Sequence, residues 1–473
     1  MVPALGLFST TMLVIGGVIG SGIFRKPGIM AAQVGSPGIL LAVWLLAGLM
    51  TLFGALTNAE IASMIPETGG QYIYFDRIYG PFIAFLYGWA VFVVMQSGSI
   101  SAVAYVFAEY TDQLFRLPQF GMPLDSWFFH IPFIGDVSPL HEIGIKALAA
   151  LLIVALTVVN YIGVKVGGIV QNIFTIAKIA AMGLLVLAAF ILPTGGTVSN
   201  LTQASAMRPS GLALVAAFAA ALQGAFWAYD GWNKVTYIAG EVKEPQRNVP
   251  LGLGFGMLSV TTIYLLMDVA YSYVLPIETM AHSKLVAADV AEKCFSGGGQ
   301  WIAAAVMLST FGTTNAVILA SARVYYSMAQ NRVFPSALGR VHPRFRTPAA
   351  ALLIQCAWSV LLLFSGTFDT LTDTLIFVSW IFYAAGAYGV FVLRRKEPNA
   401  PRAYKVPGYP FVPWIFIIFA LLYLVFTIYN DVVSYHAAMA AHKPALLNSV
   451  FGLALVIAGA PIYLFYRARR SAA

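Results

Sequence analysis

Two short stretches hold the residues whose types and spacing are chemically unusual for their surroundings. GVIGSGIF, Gly17 to Phe24, sets three glycines and a serine in the middle of an apolar run, and FWAYDGWN, Phe226 to Asn233, sets a glycine and a carboxylate in the middle of another. Each glycine costs roughly 1 kcal/mol of helix propensity. In hydrocarbon, any N–H or C=O released from a helix must find a partner in protein, water or ligand. GVIGSGIF alone reads either as a close helix-packing surface or as a break. The second stretch, five apolar runs later, favours the break, because two interrupted helices in matching positions are the trace of an inverted-repeat carrier with its site at mid-membrane. A half-helix starting near Ser21 points N–H groups and a positive dipole end into the gap, and one ending near Trp227 points carbonyls there. One pole suits an anion and the other a cation. A free α-amino acid carries both charges a bond or two apart and would satisfy both sets, with the Ser21 hydroxyl as an added contact and the glycines admitting close backbone approach.

Several polar residues at bundle depth join these stretches as candidates. Lys178 falls near the centre of the fifth apolar run, where a charge costs several kcal/mol and reaches neither interface; it is either functional or lines a polar crevice that steadies packing. Asp230, next to Gly231, is placed to N-cap a half-helix starting there. Alternatively, it strengthens an ammonium subsite, accepts a cationic side chain or carries a coupling proton. Gln96 and Ser99 in the third run and Asn315 in the eighth either face a bound side chain or bridge helices. Arg25 and Lys26, one turn beyond the first break, draw anions inward or reach headgroups. Glu60 and Glu67, with Arg77, Arg247 and Arg323, form either an inner gate or ordinary surface pairs. The sequence has no HExxH, no GxSxG elbow and no carboxylates spaced for acid/base work. Cys294 and Cys356 are too few and too far apart for a disulfide framework or a metal set. No catalytic residue, metal or cofactor is expected.

The elements that must position these residues are membrane helices. With 60% hydrophobic and 10% charged residues and a mean hydropathy of +0.81, the chain is far from a soluble globule, whose charged fraction is about 25%. At about 20 apolar residues per crossing, the runs fall at 7–33, 37–63, 81–110, 143–160, 166–193, 210–239, 250–275, 298–328, 348–366, 371–393, 411–430 and 444–466. This is an all-α integral membrane protein of twelve transmembrane helices in one domain. Helices one to five (7–193) are expected to repeat as six to ten (210–393), and helices eleven and twelve (411–466) to lie outside the repeat. The first run is too long for a signal peptide and lacks a basic leader and a small-residue cleavage site. With a cytoplasmic N-terminus, the outer connections carry only Arg25, Lys26, Arg116, Arg208, Lys284, Lys293 and Lys443. The inner ones are far more basic, from Arg332 to Arg346, from Arg394 to Lys405 and in the C-terminal tail. The positive-inside rule therefore places both termini in the cytoplasm.

GGVIGSGIF, AEIASMIPETGGQYIYF (Ala59 to Phe75), VQNIFTIAKI (Val170 to Ile179), FWAYDGWN, EVKEPQRNVP (Glu241 to Pro250) and YKVPGYPFVP (Tyr404 to Pro413) together resemble the L-type amino acid transporter family of the amino acid/polyamine/organocation superfamily. The resemblance implies the five-plus-five inverted-repeat fold with discontinuous helices one and six. It also implies alternating access across the plasma membrane and sodium-independent transport of amino acids, most simply neutral ones in exchange. Matched position by position, it puts carboxylate contacts at Ile19, Ser21, Gly22 and Ile23, with Gly20 between them. Ammonium contacts fall on backbone at Trp227, Ala228 and Asp230, with Tyr229 and Gly231 in the same unwound segment, and Trp227 becomes the occlusion gate. Lys178 would reach the back of the first helix near Gly17 and Gly20, where sodium sits in sodium-coupled relatives of the fold, and either hold those carbonyls or couple transport to protons. Asp230 departs from the family, in which a small residue is common. Animal members join a glycoprotein subunit through a cysteine between helices three and four. Residues 111–142 contain none, which points to a stand-alone microbial-type carrier. A proton-coupled symporter, one accepting cationic amino acids included, is the near alternative and a membrane amino acid sensor the distant one; a channel fits two broken helices around a closed site less well.

Overall fold

The computed structural model describes residues 3–131, 135–193, 195–283, 285–365, 368–440 and 447–471. Lys284 and Lys443 lie outside them, as do position 366 of the ninth expected run and 444–446 of the twelfth. Among the described residues, eleven helices are long and apolar enough to cross a membrane: Leu7–Val34, Pro37–Met64, Pro81–Leu114, Ile143–Ile162, Gly167–Ile191, Gly211–Tyr237, Pro245–Val274, Gly298–Gln330, Thr372–Lys396, Phe411–Ala440 and Asn448–Ala468. The shorter apolar helix Ala349–Phe364 takes the ninth place. Twelve spans follow in the expected order. Leu184 and Leu187 on the fifth span and Leu421 and Val425 on the eleventh are more than half exposed, an outward face that suits lipid.

Both expected interruptions are present. The first span divides into Leu7–Val18 and Gly22–Val34, with Ile19 extended between them. The sixth runs helically over Gly211–Tyr229, turns through 230–233 and resumes as Lys234–Tyr237. Gly231 holds φ at +104°, a conformation that disfavours any residue with a Cβ. The breaks face each other. A Cβ added to Gly22 would lie 2.5 Å from the Ala228 Cα, and one added to Gly231 would lie 2.5 Å from the Gly17 carbonyl oxygen. An edge-on aromatic group of Trp44, Tyr229 and Tyr264, with ring centres 5.0–5.9 Å apart, packs behind this contact.

The third span carries a π turn at Val91–Met95. Carbonyls released there are taken up from neighbouring spans: Trp358 donates its indole N–H to Val91's neighbour Val93 at 3.2 Å, and Tyr325 its hydroxyl to Val91 at 3.4 Å. The all-α expectation holds for the spans. Between the third and fourth, however, Phe129–Ile131 pairs antiparallel with Gly135–Val137, a ribbon too short to show a two-residue period in sequence. Short helices also fill connections, among them Gln71–Tyr79 and Val286–Cys294.

The inner ion pairs differ from the expected grouping. Glu60 binds Arg394 at 2.7 Å and Arg402 at 3.4 Å and accepts the Val406 amide. Arg323 pairs with Glu241 at 3.0 Å, Arg77 with Glu397 at 2.5 Å and Arg247 with its neighbour Glu244 at 3.8 Å. Glu67 joins no ion pair among the described residues. The sequence placed these charges at one end of the bundle but carried no information on which connection folds over which helix. At the other end Arg25 binds Glu109 at 2.6 Å.

Candidate functional site

Breaking the first span orphans the carbonyls of Gly16 through Ile19, and their new partners define the site. Lys178 donates from Nζ to the carbonyls of Gly16 (3.0 Å), Ile19 (2.5 Å) and Ser309 (3.2 Å) and to Thr313 Oγ1 at 3.0 Å. The Thr313 hydroxyl reaches the same Ile19 oxygen at 2.7 Å, and Ser309 Oγ approaches it at 3.2 Å. Tyr264 donates to both breaks, with its hydroxyl 3.0 Å from the Ala228 carbonyl and 3.3 Å from that of Val18. The Gly17 carbonyl accepts nothing among the described residues and faces the opposite break.

On the other side of the gap, the helix Gly22–Val34 begins with free donors. The amides of Ser21, Gly22 and Ile23 donate to no acceptor among the described residues, and Ser21 Oγ is buried without a partner. Buried polar groups of native proteins are seldom left in that state. Ser21 and Gly22 line a small cavity together with Gly17, Val18, Gly20, Ser99, Val103, Trp227, Asp230, Lys234 and Thr313.

Asp230 does not cap a helix. The residue preceding Lys234–Tyr237 is Asn233, with no side-chain cap. Asp230 instead closes the first half of the span, Gly211–Tyr229, in extended conformation. Its Oδ1 accepts the Tyr383 hydroxyl at 2.7 Å, and its Oδ2 lies 4.0 Å from Lys234 Nζ. The cap reading fails because the chain turns for four residues at Asp230 before it re-enters a helix. Asn233 is engaged elsewhere, donating to Gln71 Oε1 at 2.9 Å and to the Tyr237 hydroxyl at 3.1 Å.

Of the residues expected at a binding site, Gly20, Ser21, Gly22, Ser99, Trp227 and Asp230 line the cavity. Ile19, Ile23, Ala228, Tyr229 and Gly231 lie in or beside the two breaks but are not among its lining residues. Lys178 lies behind it, holding Gly16 and Ile19 where Gly17 and Gly20 were expected, one residue earlier in each case. Asn315 is turned away: it accepts from Asn160 at 2.8 Å and donates to the Gly167 carbonyl at 3.2 Å and Gln171 at 3.3 Å, bridging helices. Gln96 is fully buried beside the Tyr237 hydroxyl and does not line the cavity. Rotation of a helix about its own axis decides such outcomes, and a polar residue within a uniformly apolar run does not reveal it. Lys234, Thr313, Tyr264 and Tyr383 were not anticipated. Lys234 was within reach of the reasoning applied to Lys178, since it too is a lysine inside an apolar run.

Residues 5–454 match the amino acid permease family. The chain belongs to that family. Among curated relatives, the serine/threonine exchanger SteT of Bacillus subtilis is 32% identical over 471 residues, covering 99% of this chain and 97% of its own. The human large neutral amino acids transporter small subunit 2 is 31% identical over 461 residues, covering 97% of this chain and 79% of its own. The human b(0,+)-type amino acid transporter 1 is 30% identical over 403 residues, covering 85% and 78%. The L-type resemblance carried by the motifs is thereby borne out along nearly the whole length. This permease is a multi-pass membrane protein and an amino acid transporter rather than an enzyme.

Proposed function

We propose that this permease carries small neutral L-amino acids across the cytoplasmic membrane by alternating access, as a sodium-independent exchanger. One observation carries the reading: across a single cavity, the Ser21 and Gly22 amides and the Ser21 hydroxyl oppose the Gly17 carbonyl and the Asp230 carboxylate, and the amides, the hydroxyl and the carbonyl have no partner among the described residues. A zwitterion's carboxylate satisfies the first set and its ammonium the second, aided by the second lone pair of the Ala228 carbonyl. Trp227, buried against the cavity, is the occluding side chain. The serine/threonine exchanger among the relatives supports a serine-sized substrate. Sodium independence is supported by Lys178, whose ammonium already sits among four oxygens of the broken first span and the eighth.

Repeat one (7–193) and repeat two (210–393) form one transmembrane domain, both termini face the cytoplasm, and no disulfide-linked heavy subunit is needed. The basic inner connections and the cysteine-free segment 111–142 support the last two points. Proton symport is the second reading, with the ammonium of Lys178 as the proton carrier, because it bonds the released Gly16 and Ile19 carbonyls directly.

Purified protein in liposomes tests the proposal. Uptake of radiolabelled serine or threonine that requires internal amino acid, and is unchanged when choline replaces sodium, is expected. Uptake into empty vesicles that follows an imposed proton gradient would establish symport instead, and failure to bind or move any amino acid would remove the assignment.

A further inference from the structure

Lys234 is a second buried lysine at the breaks, and its surroundings contrast with those of Lys178. Lys178 is held by four oxygens, whereas Lys234 Nζ donates no hydrogen bond among the described residues. Its ion partner, Asp230 Oδ2, is 4.0 Å away, beyond hydrogen-bonding distance. It is 4% exposed and lines the cavity. Its stem passes along the first break, with Cδ 3.9 Å from where a Gly17 Cβ would be, and its ammonium is 2.7 Å from where a Gly231 Cβ would be. A buried ammonium with unused donors beside an open space is poorly explained as a packing clamp. It balances charge.

We propose that Lys234 is a tethered counter-cation that sets the charge selectivity of the Asp230 subsite, so that the permease accepts neutral side chains and rejects cationic ones. The inference rests on the amino acid carrier reading and specifies its substrate class. A lone carboxylate in a water-poor cavity attracts any second cation a substrate brings. With Lys234 in place, that demand is met from within the chain. The substrate's own ammonium still finds the Gly17 carbonyl and a shared Asp230 oxygen, but a guanidinium or second ammonium would enter a cavity flanked by Lys234 and, behind the break, Lys178. Exclusion by a built-in like charge is how many sites gain specificity.

The test is counterflow uptake of radiolabelled serine into proteoliposomes, competed by unlabelled serine or arginine, for the wild type, Lys234→Met, Lys234→Gln and the double variant Asp230→Asn/Lys234→Met. The readout is the ratio of arginine to serine half-inhibitory concentrations, which a loss of packing alone would not move. In the wild type arginine competes poorly. In both single variants the ratio is expected to fall at least about tenfold, equivalent to about 1.4 kcal/mol, and the double variant is expected to restore it. An unchanged ratio in the single variants overturns the proposal, as does arginine competing as well as serine in the wild type, a result available even if every variant misfolds. The same ratio read from ligand-induced thermal shifts in detergent covers variants that bind without transporting. Absence of serine uptake by the wild type would instead strike the carrier reading beneath it.

Discussion

Gly22 shows how little freedom single residues have at this site. A methyl group there would lie 2.5 Å from both Cα and Cβ of Ala228, and backbone cannot yield as a flexible side chain does. Gly22→Ala is expected to separate the breaks, at an overpacking cost of about 1–3 kcal/mol, and to lower serine exchange at least tenfold while the protein still elutes as a folded species on size exclusion. Lys178→Met removes the donor that holds Gly16 and Ile19. Hydrogen bonds to charged groups contribute about 1.5–3 kcal/mol each, so this variant is expected to lose measurable thermal stability in detergent along with transport, and transport at the wild-type rate would show that Lys178 only fills a crevice. The difference between Lys178 and Lys234 is itself a residue-scale lesson. Two lysines in apolar runs look alike in sequence, yet one is fully coordinated by oxygens and the other borders open space.

Pairs of elements are joined by buried ion pairs whose partners lie on different segments. Arg323, on the eighth span, binds Glu241 just beyond the second half of the sixth, and neither is more than 1% exposed. Removing one partner of such a pair strands a charge, at about 3–5 kcal/mol. Arg323→Met is therefore expected to lower the thermal inactivation temperature sharply, and adding Glu241→Gln to recover part of the loss, as read by thermal unfolding of the four proteins of the cycle. Glu60 does similar work near the C-terminal end of the second span, where Arg394, Arg402 and the Val406 amide converge on one carboxylate. The π turn at Val91–Met95 belongs to the same scale. It shifts the register of the third span just before Gln96, and with it which side chains of Gln96–Val103 face the cavity. Ser99 and Val103 do; Gln96 does not.

At the scale of the whole molecule, the charge asymmetry of the connections predicts orientation. An epitope fused after Ala473 is expected to bind antibody only in permeabilised cells, and a cysteine placed at Lys293 in a background lacking Cys294 and Cys356 is expected to react with an impermeant reagent from outside. The opposite pattern would invert the topology. Apolar run length and the interruptions at GVIGSGIF and FWAYDGWN are enough to locate the twelve spans and both breaks. Hydrocarbon makes this legible: backbone polar groups there must be satisfied within the segment, so glycine and charge in an apolar run carry information that they lack in a soluble chain. The partners of the released groups were not legible in the same way. Tyr264 on the Val18 and Ala228 carbonyls, Asn315 turned to Asn160, Asp230 bonded to Tyr383 and not capping a helix, and Lys234 at the edge of the cavity all depend on how each helix is rotated and packed against spans distant in sequence. Local pattern encodes where a helix must open; the fold assigns what fills the opening.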